Sequence, residues 1–594
     1  MKFLKIFLAA LLAFVVGSFL SLFIWLMILA GAMASSFQST VFVKPHSILT
    51  VNLDETINDA PEVDPLSQLD FMSMSVDRSI SLYKVLCALD AAKTDDRIDG
   101  IYIRLTGGGA ASMATLEELR NAIDEFKQES GKFVLAYNET YSQAGYYLAS
   151  VADRVYLQPE GGMAWQGLSF TLTFFKGLLD KLDISVEVFR PTVCKYKSAV
   201  EPYILDRMSD ANRLQMTELA QSMWNTITEA VSVSRGIGIE QLNALADNLA
   251  VTLPEEALAN GFVDGLIYED QMNDIFAEYG ATADKNGEYE FISLGEYASQ
   301  VTPAGNFKAD KVAIIYAEGD IVDGYGPAGS SIYGNSLAER IRKARLDKSI
   351  KSVILRVNSP GGSALASDII WREMELLKAE KPVIVSMGGY AASGGYYISA
   401  PADVIVADKL TLTGSIGVFG LIPYAGNFLK NKVGITFDSA KTNTSADMGS
   451  QAHPLTAVER ATIMRGVDKV YTTFTGLVSE GRNLPLEKVL DIAGGRVWSG
   501  TDGLEIGLVD GIGGLKTAIA VAADKAGIAD NYRIEELVDE PSGLSQIFEA
   551  LNAQVKTRYM RSQLGNLYGE YLTAQQAVQR EGIQTYCPYI IDIF

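Results

Sequence analysis

Histidine and cysteine are scarce in this chain of 594 residues. There are two histidines, His46 and His453, and three cysteines, Cys87, Cys194 and Cys587. No Cys-x-x-Cys pair or Cys/His cluster has metal-ligand spacing, which excludes a structural zinc site. So few cysteines, odd in number, also exclude a disulfide framework. The shortage of histidine bears on chemistry, because hydrolytic and acyl-transfer sites ordinarily take histidine as their base. A hydrolytic site here recruits one of these two or works without either. Cationic charge is short as well. Lys and Arg number 50 against 72 Asp and Glu, a net charge of −22, which argues against a nucleic-acid partner.

What is present begins with an apolar run. After Lys2 and Lys5, residues 7–33 carry no charge and are mostly Leu, Phe, Ala, Val and Ile. The run exceeds the roughly 20 residues that span a bilayer. It also exceeds the ~7–15 residue apolar core of a cleaved signal peptide. The expectation is one uncleaved transmembrane helix over 7–33, with the leading lysines holding residues 1–6 in the cytoplasm. Everything after about residue 45 would then lie outside it. Cleavage near the small residues Ala32–Ala34 is the competing reading.

The rest of the chain repeats itself. Segments near His46–Ile57, Asp99–Gly108, Gly145–Asp153 and Leu258–Gly265 match Lys311–Ile321, Lys351–Pro360, Gly395–Asp403 and Leu504–Gly511 in the same order. A period this long is a domain duplication, not a solenoid repeat. Each copy alternates strand and helix. In the second, Val353–Val357 reads as a buried strand and Ala364–Lys378 as a helix with Ile369, Ile370, Met374 and Leu377 at helical spacing. Pro382–Met387 is a second strand, Ser393–Ser399 starts a helix, and Val404–Ala407 is a further strand. Such alternation predicts parallel βαβ units. The fold class is α/β: a tandem duplication of one βαβ domain behind an N-terminal transmembrane helix. The copies occupy 45–299 and 311–540, joined by a linker at 300–310 with Pro303 and Gly305. The extension 541–594 matches neither copy, and within it Ser545–Ala577 reads as helical.

Two features of the second copy carry chemistry. Asn358-Ser-Pro-Gly-Gly-Ser363 sits between a strand and a helix, where paired glycines let backbone N–H groups face an anion. Gly388-Gly-Tyr-Ala-Ala-Ser-Gly-Gly-Tyr396 lies at the next such junction and places Ser393 on a tight turn. One N–H from Gly361 or Gly362 and one from Gly394 would make an oxyanion hole. Singly, each junction is what tight packing also produces; together they favour acyl chemistry. In the first copy the place of Ser393 is taken by Gln143, so only one copy holds a nucleophile. The activating base stays open at this point: His453, His46, or a lysine desolvated until it is neutral. Lowering a lysine from about 10.4 to about 7–8 takes roughly 4 kcal/mol of environmental bias, feasible in a buried site.

The motifs Tyr196-Lys-Ser-Ala-Val-Glu-Pro202, Val357-Asn-Ser-Pro-Gly-Gly-Ser363, Ala391-Ala-Ser-Gly-Gly395 and Leu412-Thr-Gly-Ser-Ile-Gly417 occur in this order. In this combination the chain resembles the signal peptide peptidase A (protease IV) family in its long duplicated form, over nearly its whole length. The resemblance implies Clp/crotonase-like domains and a Ser–Lys dyad serine endopeptidase. It implies Ser393 as nucleophile, Lys197 from the other copy as general base, and Ser415 as the residue orienting Lys197. It places the oxyanion donors on Gly394 and the Gly361–Gly362 turn. Lys195, two residues from Lys197, would point the same way on an extended strand, and only the Tyr-Lys-Ser-Ala pattern selects Lys197. The resemblance further implies no metal or organic cofactor, hydrophobic signal-peptide remnants as substrates, a homotetramer, and anchorage to lipid in a bacterial inner membrane with the catalytic domains extracytoplasmic. An acyl-CoA enzyme of the crotonase type and a non-catalytic scaffold are the alternatives.

Overall fold

The computed structural model describes residues 42–53, 56–61, 69–70, 75–76, 79–105, 111–301, 308–326, 331–538 and 583–587, with isolated positions before residue 42. The expected anchor at 7–33, apart from such isolated positions, and the expected helix Ser545–Ala577 lie outside the described residues. Among the described residues no helix is long and apolar enough to cross a membrane. From His46 onward the chain forms one compact unit.

Two sheets build that unit. The first runs Gly265–Leu266, Arg154–Met163, Phe133–Tyr141, Ile98–Ile103, Ser47–Val51 and Glu290–Ser293, every pair parallel. The second repeats the order with Gly511–Ile512, Val404–Ala407, Val383–Ala392, Ile350–Ser359, Asp310–Glu318 and Tyr532–Leu537. These six strands have one order in both copies; the second sheet adds Leu412–Gly414, parallel to Val383–Ala392, and Val497–Ser499, antiparallel to Leu412–Gly414. The copies also share hydrogen bonds that the sequence match does not reveal. Tyr146 donates to the Phe262 carbonyl and Tyr396 to that of Leu508, each at 2.8 Å. Asp153 accepts from Val134 N–H and Asp403 from Val383 N–H, again each at 2.8 Å.

The predicted helix Ala364–Lys378 forms at those bounds. Ser363 caps it, its side chain accepting from Ala366 N–H, and Ala366, Ile370, Met374 and Leu377 bury one face at helical spacing. Burying such an aliphatic side chain stabilises the fold by about 1.5–3 kcal/mol. That face packs on the apolar run Val353, Leu355 and Val357 of the central strand.

A third sheet joins the copies. Its order is Ser331–Tyr333, Asp320–Val322, Gly361–Ser363, Ile583–Tyr586, Phe419–Tyr424 and Ser185–Phe189. The last of these belongs to the first copy and pairs antiparallel with Phe419–Tyr424 of the second, Gly420 opposite Phe189. The helix Met113–Ser130 of the first copy makes the other joint. Its Glu117 accepts from Leu410 N–H at 3.0 Å, and its Glu118 accepts from Leu515 N–H at 2.6 Å and from the Arg356 guanidinium at 2.7 Å. Two carboxylates are buried on this helix because their partners lie on the other copy.

Candidate active site

The strand expected to end at Met387 continues to Ala392. Ser393 then turns the chain with φ 55° and ψ −111° before the short helix Gly394–Ser399. A positive φ is costly for a residue with a side chain. Here it is held by Ser393 N–H donating to the Gly414 carbonyl at 2.8 Å and by the Ser393 carbonyl accepting from Tyr397 N–H at 2.8 Å. The glycines after it answer to space. A Cβ on Gly394 would come within 2.8 Å of Ser367 Oγ, and one on Gly395 within 2.5 Å of the Ser359 carbonyl oxygen.

Lys197 arrives from the first copy, at the start of the one-turn helix Ser198–Val200. Its Nζ lies 2.6 Å from Ser393 Oγ, 2.8 Å from the Ser415 carbonyl and 2.9 Å from Ser415 Oγ. All three residues are buried, Lys197 at 1% exposure. Its surroundings are neutral oxygens, and burial pulls the ammonium down from 10.5 to about 7, with the Cys587 and Cys194 thiols opposing the shift. An amine in this setting can be neutral at physiological pH. Two of its hydrogens can bond Ser415, leaving the lone pair for the Ser393 hydroxyl.

Ser415 is itself on a strained turn, φ 50° after Gly414 at φ 76°, and its N–H donates to the Arg496 carbonyl at 2.7 Å. Arg190 donates to the Lys197 carbonyl at 2.9 Å, and Tyr196 N–H donates to the Gly494 carbonyl at 2.9 Å, which ties the lysine's backbone to both copies. The Gly361–Gly362 turn abuts the serine turn: a Cβ on Gly361 would lie 2.6 Å from Gly394 N. Gly361 N–H donates to Ser359 Oγ at 3.1 Å. Residues Gly361–Ser363 form a short strand of the third sheet.

The structure thus brings together Ser393, Lys197, Ser415, Gly394, Gly361 and Gly362. It places the two histidines elsewhere. His46 Nδ1 lies 3.1 Å from Asp99 Oδ1 at the start of the first sheet. His453 Nδ1 lies 2.8 Å from the Pro454 carbonyl and Nε2 3.1 Å from Asp447. Lys195 departs from its expectation, because Pro191–Lys197 is a run of turns rather than a strand. The period-two rule fails there, and Lys195 is exposed with its Nζ 5.0 Å above the Tyr196 ring. In the first copy, Gln143 fills the position of the serine. Its Oε1 accepts from Gln166 and Gly167 N–H at 3.0 and 3.1 Å, and its Nε2 donates to the Gly167 carbonyl at 3.1 Å.

Two features were not read from sequence. One is the buried Arg356, whose carboxylate partners Asp59 and Glu118 are on the other copy and which looks like any strand residue. The other is the strand Ile583–Tyr586, which lies against Gly361–Ser363. Its β-branched and aromatic content is its only signal.

The chain matches the model of peptidase family S49 at residues 126–283 and 375–529, once in each copy. It is 36% identical to "Protease 4" of Salmonella typhi, over 84% of this chain and 81% of that one. The "Protease 4" of Haemophilus influenzae is likewise 36% identical, over 84% of this chain and 82% of its own length. "Serine protease SPPA, chloroplastic" of Arabidopsis thaliana is 31% identical, over 86% and 74%. With a family match in both copies and relatives aligned across most of both lengths, this chain belongs to peptidase family S49, as a duplicated serine endopeptidase of the signal peptide peptidase A (protease IV) type.

Proposed function

We propose that the chain is a membrane-anchored endopeptidase that degrades cleaved signal peptides with a Ser393–Lys197 dyad. The observation that carries this reading is the 2.6 Å approach of Lys197 Nζ to Ser393 Oγ in a buried site that lowers the lysine to about 7. Neutral Lys197 accepts the Ser393 proton as Oγ bonds to the substrate carbonyl carbon. The resulting oxyanion is held by Gly394 N–H and a donor of the Gly361–Gly362 turn. Lys197 returns the proton to the amine as the C–N bond breaks. A water then adds to the acyl-enzyme, giving a proton to Lys197, which passes it to Ser393 Oγ as the acid leaves. Ser415 positions Lys197 throughout. None of these steps calls on a metal or an organic cofactor.

The proposed substrate class is an apolar extended peptide, which a sheet edge binds through its main chain by strand addition. The charge-free run 7–33 supports anchorage in the inner membrane with the two copies outside the cytoplasm, and self-association into a homotetramer belongs to the same proposal. The test is hydrolysis of a signal-peptide-like substrate by the full chain in detergent. Ser393→Ala and Lys197→Ala should each lower kcat by about 10⁴-fold or more. Full activity in either variant overturns the dyad, and an inactive wild-type chain with an intact fold would favour a scaffold.

A further inference from the structure

Lys197 reaches Ser393 from a run of turns, and a run of turns does not by itself hold a long side chain in register. The helix that follows, Ser198–Val200, is one turn long. This stretch is gripped from the helix Asp210–Arg235 of the same copy, through the fully buried Gln215. Gln215 Nε2 lies 2.9 Å from the Tyr196 carbonyl, 2.9 Å from Ser198 Oγ and 3.0 Å from Asn212 Oδ1. Tyr196 and Ser198 are the residues on either side of Lys197. Ser198 Oγ in turn donates to the Tyr196 carbonyl at 3.0 Å, which closes the set. The other end of the amide reaches the second copy: Gln215 Oε1 accepts from Val497 N–H at 3.4 Å. Val497 stands opposite Gly414, whose carbonyl receives Ser393 N–H, and it follows Arg496, whose carbonyl receives Ser415 N–H. One side chain thus touches the backbone around the lysine and the strand beside both serines.

The amide is itself held in one orientation. Asn212, one turn earlier on the same helix face, gives its Oδ1 to Gln215 and donates from Nδ2 to Glu201 Oε2 at 3.0 Å. The buried Glu201 also accepts from Ser209 N–H at 3.1 Å and Ser209 Oγ at 2.5 Å, at the N-terminus of the helix, where a carboxylate is favoured. The network therefore runs from Glu201 through Asn212 and Gln215 to the lysine turn. We propose that Gln215 is a positioning residue for the Ser393–Lys197 pair: its amide fixes the Tyr196–Ser198 turn against Val497 of the other copy, and so sets where Lys197 Nζ stands relative to Ser393 Oγ. The proposal rests on the reading of Lys197 as the base. Gln215 touches no reacting atom; it acts through the backbone that carries the lysine. Displacing a reacting group by 1 Å can cost about a hundredfold in rate. Two turns along the same helix, Ser222 Oγ lies 2.7 Å from Ser499 Oγ. That contact also docks the helix on the strand Val497–Ser499, away from the lysine turn, and serves as the control.

The test is peptide hydrolysis by the full chain in detergent, with kcat, KM and the pH profile of kcat/KM measured for each variant. Gln215→Leu keeps the bulk of the side chain and removes both ends of the amide. It should lower kcat by about tenfold to a hundredfold and leave KM within about twofold. It should also move the acid limb above its wild-type midpoint, because an amine held less firmly in the buried site drifts back towards its ordinary value. Ser222→Ala should leave kcat within about twofold and the acid limb in place. If Gln215→Leu does not fold, Asn212→Ala, which keeps Gln215 and removes the acceptor that orients it, should show the same pattern at about threefold to tenfold in kcat. A folded Gln215→Leu chain with wild-type kcat and an unmoved acid limb overturns the positioning role. So does an equal loss in Ser222→Ala, which would reduce the effect to docking of the two copies, and so does a change confined to KM. Lys197→Ala separates the two readings. If it is inactive while Gln215→Leu behaves as wild type, the dyad stands and the positioning role falls; if it keeps full activity, the dyad falls and the positioning role with it.

Discussion

Lys197 is the residue on which the chemistry and the stability of the site meet. Its folded value near 7 means that it holds a proton below that pH and is neutral above it, the form the proposed dyad needs. The acid limb of kcat/KM should therefore have a midpoint near pH 7 and a slope of one proton, read from a pH–rate profile. The same shift acts on folding. Between about pH 7 and 10.5 the unfolded chain binds a proton that the folded chain does not, so stability rises with pH across that window. Below pH 7 the cost is complete. Lys197→Met should consequently raise unfolding stability at pH 7 by on the order of 4 kcal/mol, a gain that vanishes near pH 11, as measured by denaturant titration. Ser415 contributes two oxygens that receive Lys197, its hydroxyl and its backbone carbonyl, and the carbonyl remains in Ser415→Ala. That substitution should lower kcat by about tenfold to a hundredfold without loss of folding. Ser393 and Gly394 were legible from their short motif, because tight turns restrict which residues fit, whereas Ser415 entered only through the family resemblance. Lys197 was legible only through family resemblance, since nothing local in Tyr196-Lys-Ser distinguishes a buried lysine from the exposed Lys195.

At the scale of elements, the helix Met113–Ser130 and the strand Ile350–Ser359 clamp the copies through one guanidinium. Arg356 bonds Asp59 and Glu118 at 2.7 Å each and Ser386 at 2.8 Å, and is wholly buried. Burial disfavours its charge, but Asp59 and Glu118 outweigh that and hold it protonated. Around it the carboxyls outnumber the cation. Burial pushes Glu117 and Glu318 up to about 7, and it drives Asp408 well above the usual carboxylate range with Glu118 adding to the effect. For these raised carboxyls the folded chain keeps protons that the unfolded chain has released. Their contribution is therefore full below about pH 4.5 and lost as pH rises through 7. Arg356→Met should cost about 3–5 kcal/mol by leaving buried carboxylates unpaired, and the loss should be greater at pH 8 than at pH 5. Equal losses at both values in paired denaturant titrations would count against the raised carboxyls. The helices and strands of this region were readable from periodicity. The clamp was not, because Glu117, Glu118 and Arg356 each occupy positions where a polar residue ordinarily faces water.

For the whole molecule, duplication has become a division of labour. The second copy provides Ser393, Ser415 and the glycine turns, and the first provides Lys197 and the strand Ser185–Phe189 that completes the third sheet. Because lysine and serine meet within one chain, a mixture of Lys197→Ala and Ser393→Ala proteins should stay inactive in the peptide assay. Restored activity would mean that the base crosses between chains in an assembly. The first copy can spare its own nucleophile since Gln143 satisfies three backbone groups where the serine would have opened a site.

Read alone, the sequence determined the repeat, the α/β alternation in each copy and the tight turn that carries Ser393. These follow from hydrophobic period and from the conformations that glycine and small residues permit, both local properties. The same locality left the base open among two histidines and the lysines, and left the pairing of Ile583–Tyr586 unread. Tertiary structure decided which of these side chains meets Ser393 and what that strand lies against. It brought Lys197 across nearly two hundred residues into a buried site, where desolvation lowers the amine to about 7, as the proposed dyad requires. It also laid Ile583–Tyr586 between Gly361–Ser363 and Phe419–Tyr424. Burial and strand pairing depend on which surfaces meet, and no window of sequence contains that information.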